Sequence, residues 1–592
     1  MGNGYWPVER GTIMTRWSLR LLLAAACFAM LAFAGCGSKS SSDKKASQGG
    51  TLTMLTNGDV DDKLDPGYSY YQLDFIYTNS TQRAVLGNKP EDTTKASPDL
   101  AESYPTTSKD GKTVTVKLKK GVKFSPPVNR DATSADVKYA MERDFLPQVG
   151  NGYAGAYWSD IEGVKAYQAG KAKEISGIQT PDKYTLVLKL TRPTAAVAIA
   201  AMSLPGAAPV PKDYAQKFDK GKQSTYGQHV VGTGPYMVQN DPKTGKITGY
   251  QPGRRITFVR NPNWDKSTDF RPAYLDSFVY NEGNDPTVGN RKILSGKGQI
   301  GNPTDLSPPP AFLKQNLNKK DSVIPGFFSG RVRYVALNTT KKPFNNPNIR
   351  KAVGAATDRA AQGLAFGGSA AGATATHILT PGEIGFDEAG GMAGPGYDWL
   401  KNPSGDPALA ASYMKKAGFK SGKYSGPAIT MVADNSTNQK GAAERVLDAL
   451  QKLGFKVNFR PVTRDTMYAK FCGVPKNAPE VCPSVGWLKD FADPQSMLDP
   501  TFNGKNIVPT NNSNWAQLND PKINAAITKA EVLVDPAARA KAWAEIDKMV
   551  TGTAAVIPWY WDKPPLVKSP DVKAVVSKSN AAWDMSFSAL SK

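Results

Sequence analysis

The chain reads as an α/β protein of several domains. The clearest sign lies in its last third. Ile429 to Val432 is short and apolar, Ala442 to Leu453 repeats apolar residues at helical spacing, and Phe455, Val457 and Phe459 alternate after Gly454. Strand, helix, stop glycine and strand make a βαβ unit, which requires parallel pairing. Alternation elsewhere is the second sign. Val114, Val116 and Leu118 share one strand face, as do Tyr184, Leu186, Leu188 and Leu190. Length is the third: 592 residues exceed one ordinary domain and predict roughly three to four.

Hydrophobic residues make up 40% and charged residues 21%, a globular balance. The formal net charge of +22 raises nucleic acid as a partner. The Lys and Arg are spread along the chain without a block of like charge, which argues against it. Attraction to an anionic surface or wall accounts for the charge equally well.

The N-terminus predicts the compartment. Arg16 and Arg20 precede an apolar run from Leu21 to Ala34, ending at Gly35 and Cys36. The run is shorter than the ~20 residues of a spanning helix and suits the core of a signal peptide. It resembles a bacterial lipoprotein signal: residues 1–35 are removed and Cys36 carries the lipid. Phe33 stands where that pattern prefers Leu, and either Met1 or Met14 can be the start. Residues 36–50 are polar and small, which predicts a flexible tether. The expected location is the extracytoplasmic face of the bacterial cell membrane, with the body anchored by lipid at Cys36.

Cys27 leaves with the signal, so Cys472 and Cys482 are the pair left in the body. An extracytoplasmic setting favours a disulfide between them, closing a short loop ahead of Gly486. A two-cysteine metal site is the alternative, but His229 and His377 are the only histidines and neither lies near in sequence. No metal and no cofactor is expected.

In order, Thr51–Leu55 reads as a first strand. Thr133 and Asp136 form a capping box ahead of a helix faced by Val137, Ala140 and Met141. Gly232-Thr233-Gly234-Pro235-Tyr236 is a glycine turn entering a strand; its proline argues against a phosphate-cradling helix. Arg333 to Asn338 is a strand. Asn346-Pro347 opens a helix faced by Ile349, Val353 and Ala356, and Asp358-Arg359 ends the segment. Asp520-Pro521 and Asp535-Pro536 open two more helices, and Ile557 to Trp561 is an aromatic strand.

Gly486-Trp487-Leu488-Lys489-Asp490-Phe491-Ala492-Asp493-Pro494 carries the candidate chemistry. Trp487 and Phe491 flank the acid Asp490. Aromatic area beside one carboxylate suits a cationic ligand, through cation–π attraction and an ammonium–carboxylate pair. A buried Trp beside a turn Asp accounts for the same residues.

Several segments coincide, in order, with one family. Leu64-Asp65-Pro66, Pro98 to Glu102, Asp110 to Phe124, Ala135 to Arg143, Gly232 to Tyr236, Asn261 to Trp264, Arg271 to Asp276, Leu337-Asn338 with Pro343-Phe344, Ile349 to Arg359, Gly486 to Pro494 and the Asp535 to Tyr560 tail resemble bacterial extracellular solute-binding proteins of family 5. These are the peptide-, dipeptide- and nickel-type receptors of ABC importers. The chain departs at Gly296-Lys297-Gly298-Gln299, where the family carries an acid, at Phe124 to Thr133, and across Gly363 to Asp406.

The resemblance implies the periplasmic-binding-protein type II fold in its large, three-domain, two-lobed form. Domain I comprises residues 51–90, 231–325 and 556–592, domain II 91–230, and domain III 326–555. The implied function is capture of oligopeptides between the lobes and delivery to a membrane permease, by a monomer with no enzymatic activity. Carried over, Asp490 pairs with the peptide ammonium, the backbone at Gly486 and Leu488 adds the peptide as a strand, and Trp487 and Phe491 flank the cleft. Asn302 and the turn from Val60 to Asp62 contribute from the opposite lobe. An oligosaccharide or nickel-chelate receptor on the same fold is the alternative.

An enzyme is the competing class. Gly111-Lys112-Thr113 has Thr106 where a phosphate-binding loop needs its first glycine. Gly367-Gly368-Ser369-Ala370-Ala371 lacks the last glycine of a nucleophile elbow.

Overall fold

In the computed structural model the described residues are 46–591, apart from 59, 61–63 and 304. The expected signal peptide, Cys36 and the acidic end of the Val60 to Asp62 turn lie outside them. No helix among the described residues is long and apolar enough to cross a membrane.

Three larger sheets organise the chain. In the first, Thr51–Leu55 runs parallel to both Ser277–Asn281 and Gln299–Gly301. Arg255–Arg260 pairs antiparallel with Ser277–Asn281 and carries Tyr236–Val238 and Tyr250–Gln251. Leu52, Met54, Ile256, Phe258, Phe278 and Ile300 alternate inward and are fully buried. Helix Gln72–Thr81 packs nearby, with Asp74 in its first turn accepting from the Tyr71 amide at 3.2 Å.

The second sheet is antiparallel: Thr106–Thr107, Thr113–Lys117, Thr185–Lys189 and Ile178–Asp182. Val114, Val116, Leu186 and Leu188 form its buried face, as their alternation predicts. Helix Ser134–Arg143 begins with the expected Thr133–Asp136 box. Its last residue, Arg143, is fully buried and pairs with Asp65 and Asp219, each at 2.7 Å.

The third sheet runs in the order Gly372–Ala373, Val556–Asp562, Arg331–Leu337, Val481–Leu488, Ile429–Asp434, Val457–Val462. Its end is the predicted βαβ unit. Ile429–Asp434 and Val457–Val462 pair in parallel from Ile429↔Val457 to Asp434↔Val462, joined by helix Thr437–Lys452. Gly454 stops that helix at φ +91°, a backbone region that glycine enters without steric cost. Asp520 and Asp535 cap helices Pro521–Ala530 and Pro536–Gly552.

Three expectations need correction. The expected domain I includes Val556–Asp562 with the C-terminal segment, yet that strand pairs along Arg331–Leu337 inside the third sheet. A strand with apolar residues on both faces finds its place by pairing, so the change of sheet comes after Asp562. The expected tether runs to Gly50, yet Ala46–Ser47 pairs with Ala589–Ser591, and Gly50 N–H donates to Asp276. Asp358 does not close its segment. It caps the next helix, Arg359–Phe366, by accepting from the Ala361 amide.

Cys472 and Cys482 are joined by a disulfide, with Cα atoms 6.4 Å apart. It ties the turn Met467–Cys472 to the start of strand Val481–Leu488.

Candidate functional site

The strand Val481–Leu488 delivers the candidate residues. It pairs with Arg331–Leu337 so that Leu488 opposes Arg331 and Gly486 opposes Arg333. Just beyond, the Lys489 amide donates to the Gly330 carbonyl at 3.0 Å. Backbone groups of an antiparallel strand alternate between its two edges. Lys489, Trp487 and Val485 therefore point their N–H and C=O at the partner strand, while Gly486 and Leu488 point theirs the other way. The Gly486 amide indeed donates to the Tyr468 hydroxyl at 3.3 Å, on that far edge. The next strand, Ile429–Asp434, meets this one only at Met431↔Val481.

Beyond Leu488 the chain turns and presents Asp490. Its Oδ2 accepts from the Tyr70 hydroxyl at 2.9 Å and the Tyr157 hydroxyl at 2.5 Å. Burial pushes the Asp490 carboxyl up to about 7, and the two tyrosine donors hold it from rising further. Burial and the neighbouring acid raise both phenols as well. Asp493 anchors the turn from behind: Arg539 grips it through Nε and Nη2, both at 2.7 Å.

Trp487 is held by its own polar edge, the indole N–H donating to the Ser496 carbonyl at 2.8 Å. Its ring meets Tyr70 edge-on at 5.4 Å and Trp515 at 5.9 Å. These rings wall a cavity of about 300 Å³, lined also by Gly486, Leu488 and Asp490. That volume sits at the lower end of the ~300–1,000 Å³ of small-molecule sites.

The cavity carries both signs of charge. Arg331 and Arg464 line it together with Asp490. Burial, and then the neighbouring Arg333, push Arg331 down to about 9. Its Nη2 donates to the Gln72 side chain at 3.0 Å. For Arg464, burial opposes the charge, but Asp305, Tyr468 and Asp434 outweigh it and raise the group.

Four of the expected residues meet at this cavity: Gly486, Trp487, Leu488 and Asp490. Phe491 stacks edge-on against Tyr157 at 5.0 Å and lines a separate space of about 90 Å³ beyond Asp490. Asn302 does not reach the cavity. It is fully buried at the end of Gln299–Gly301, where its amide donates to the Leu55 carbonyl. Sequence reasoning missed Tyr70, Tyr157, Arg331 and Arg464. A signal existed for one: Arg331 and Arg333 put charge on a strand whose every residue is buried.

The site thus sets one acid in an aromatic cavity at the edge of a strand, on an α/β scaffold. The model of bacterial extracellular solute-binding proteins, family 5 (middle region), matches residues 95–508, and the chain belongs to that family. Its members are extracytoplasmic receptors of ABC importers and not enzymes. The di/tripeptide-binding protein 1 of Pseudomonas aeruginosa is 26% identical over 437 residues, covering 73% of this chain and 74% of the relative. Heme-binding protein A of Haemophilus influenzae is 27% identical over 557 residues, covering 91% and 92%. Among solved structures, a clavulanic acid biosynthesis oligopeptide binding protein 2 superposes with a TM-score of 0.73 at 25% identity, over 93% of this chain and 97% of its own. The murein tripeptide binding protein MppA of Escherichia coli gives 0.76 at 18% identity, over 93% and 99%. The fold is the large, two-lobed type II binding-protein fold.

Proposed function

We propose that the chain captures short peptides and delivers them to an ABC permease, as a monomer anchored by lipid at Cys36. Asp490 takes the peptide's α-ammonium. The outward backbone of Gly486 and Leu488 pairs with the peptide main chain, which every peptide offers alike. Trp487 forms a wall, and Arg331 and Arg464 answer the negative end of the ligand. The observation that carries this reading is Asp490: a half-buried carboxyl raised by burial, at the end of an open strand edge. The names of the di/tripeptide-binding relatives support it.

One lobe comprises residues 51–90 and 231–325, the chain after Asp562, and the inserted domain 91–230. The other runs from 326 to 562. The signal occupies 1–35, and the tether ends before Ala46. Ligand contacts with both lobes select the closed form.

A second reading, an oligosaccharide or nickel-chelate receptor, draws on the aromatic wall of Tyr70, Tyr468, Trp487 and Trp515, which suits stacking on sugar rings. Native mass spectrometry of the body from Gly37 onward, purified from rich medium, separates the two. Bound masses that fragment as short peptides support the first. A single sugar or chelate mass replaces it with the second.

A further inference from the structure

Away from Asp490, a second set of side chains crosses between the lobes. Arg192 Nη1 donates to Glu531 at 2.6 Å, and its Nη2 donates to the Thr528 carbonyl at 2.6 Å. On its own side the same Nη1 reaches Asp160 at 3.1 Å, and the Thr194 hydroxyl donates to the same Asp160 oxygen. Arg192 is thus oriented from one lobe and satisfied by the other. The Glu531 side chain is 11% exposed and that of Arg192 32%, so solvent screens this pair less than a free surface ion pair.

The two crossings are framed alike. In one lobe Tyr157 and Asp160 stand three residues apart on one turn, each making one of the contacts. In the other lobe Arg539 joins both ends: it grips Asp493, next to the Asp490 turn, and donates through Nη1 to the Ala530 carbonyl, next to Glu531, at 3.1 Å. Between the crossings lies a cavity of about 520 Å³, lined by Tyr157, Asp160, Asp499 and Glu531 among others. Nothing in the Arg192 contact requires a ligand, since both charges come from the protein.

We propose that Arg192 and Glu531 form a latch between the lobes that sets how long any captured ligand stays, whatever its sequence. The proposal rests on the receptor reading, because a latch needs lobes that open. Asp490 reads the ligand; Arg192 acts on the equilibrium between open and closed forms. The latch therefore changes the release of every ligand by one factor.

The test uses R192A, E531Q, the double variant and R192K, with melting curves to verify folding. Release of trialanine and of trileucine is followed by stopped flow, and the radius of gyration of the ligand-free protein by solution scattering. Release is expected to quicken roughly tenfold in R192A and by no more than that in E531Q, by the same factor for both peptides, with the double variant no faster than R192A. R192K, which keeps the charge, is expected to fall between R192A and the parent. Unchanged release, or a double variant faster by the product of the two single effects, overturns the latch. If trialanine and trileucine do not bind the parent protein, the peptide reading fails and the scattering decides. A larger radius in R192A and E531Q supports the latch, and equal radii overturn it.

Discussion

The Tyr157 hydroxyl lies 2.5 Å from Asp490 Oδ2, joining residues 333 positions apart. With Tyr70 on the same oxygen, two neutral donors face a carboxyl that, among the described residues, has no cation at hydrogen-bonding distance. Such an acid is stabilised by hydrogen bonds yet still costly to ionise. In the proposed reading an incoming ammonium supplies the missing charge.

Binding of trialanine should follow a bell in pH. The ammonium needs the ionised carboxylate, so below about 7 a proton must first leave Asp490, and affinity falls by up to ~tenfold per unit. Above ~8 the peptide's own amine loses its proton and affinity falls again. Calorimetry from pH 5 to 9 checks both limbs. A flat acidic limb would contradict the role of Asp490.

Asp490→Asn should weaken trialanine binding by ~1.5–3 kcal/mol, the worth of a charge-assisted contact. The same change should raise the melting temperature of the ligand-free protein at pH 8. In the unfolded chain Asp490 ionises near 3.8, in the fold near 7. Between those values the folded state holds a proton that the unfolded chain has lost, so stability falls as pH rises through this window. Asn carries no such penalty, so the gain is largest above pH 7 and disappears below pH 4. Equal melting temperatures at pH 8 would show that the carboxyl is not disfavoured by the fold.

Tyr157→Phe removes one of the two donors that lower the Asp490 carboxyl, while its burial stays. The acidic limb of the binding curve should therefore move to higher pH, with affinity at pH 8 less affected. A limb at the parent's pH would make Tyr157 a packing residue alone.

Joint replacement of Cys472 and Cys482 by serine should cost ~2–3 kcal/mol of stability, because the bridge closes a loop of sequence separation 10 in the unfolded chain. Both sulfurs sit in buried positions, so the loss shows as a lower urea midpoint. Identical midpoints for the parent and the double serine variant would contradict it.

Local pattern made much of this legible. The βαβ unit at Ile429–Val462 announces itself by periodicity, and the caps at Thr133, Asp520 and Asp535 by residue type. Gly486 to Asp493 stands out because its aromatics, acid and glycine are neighbours in the chain. What stayed hidden depends on contact between distant segments. Tyr70 is 420 positions from Asp490, and no local signal points one at the other. Val556–Asp562 is apolar on both faces and could suit either sheet by composition; pairing with Arg331–Leu337 decides. Asp358 suits a helix end or a helix cap by residue type; Thr357 closes the helix before it, and Asp358 caps the one after. Asn302 was carried over by family likeness, but the Leu55 backbone draws it into the first sheet.

Whether Asp490 recognises a free ammonium is read from calorimetry with trialanine and N-acetyl-trialanine on the unmodified protein at pH 7.5. Acetylation removes the charge and leaves the rest of the main chain to pair with Gly486 and Leu488. At least a roughly tenfold loss of affinity is expected, the ~1.5 kcal/mol or more of a charged hydrogen bond. Equal binding of the two peptides would contradict it and return Asp490 to the role of a structural carboxyl.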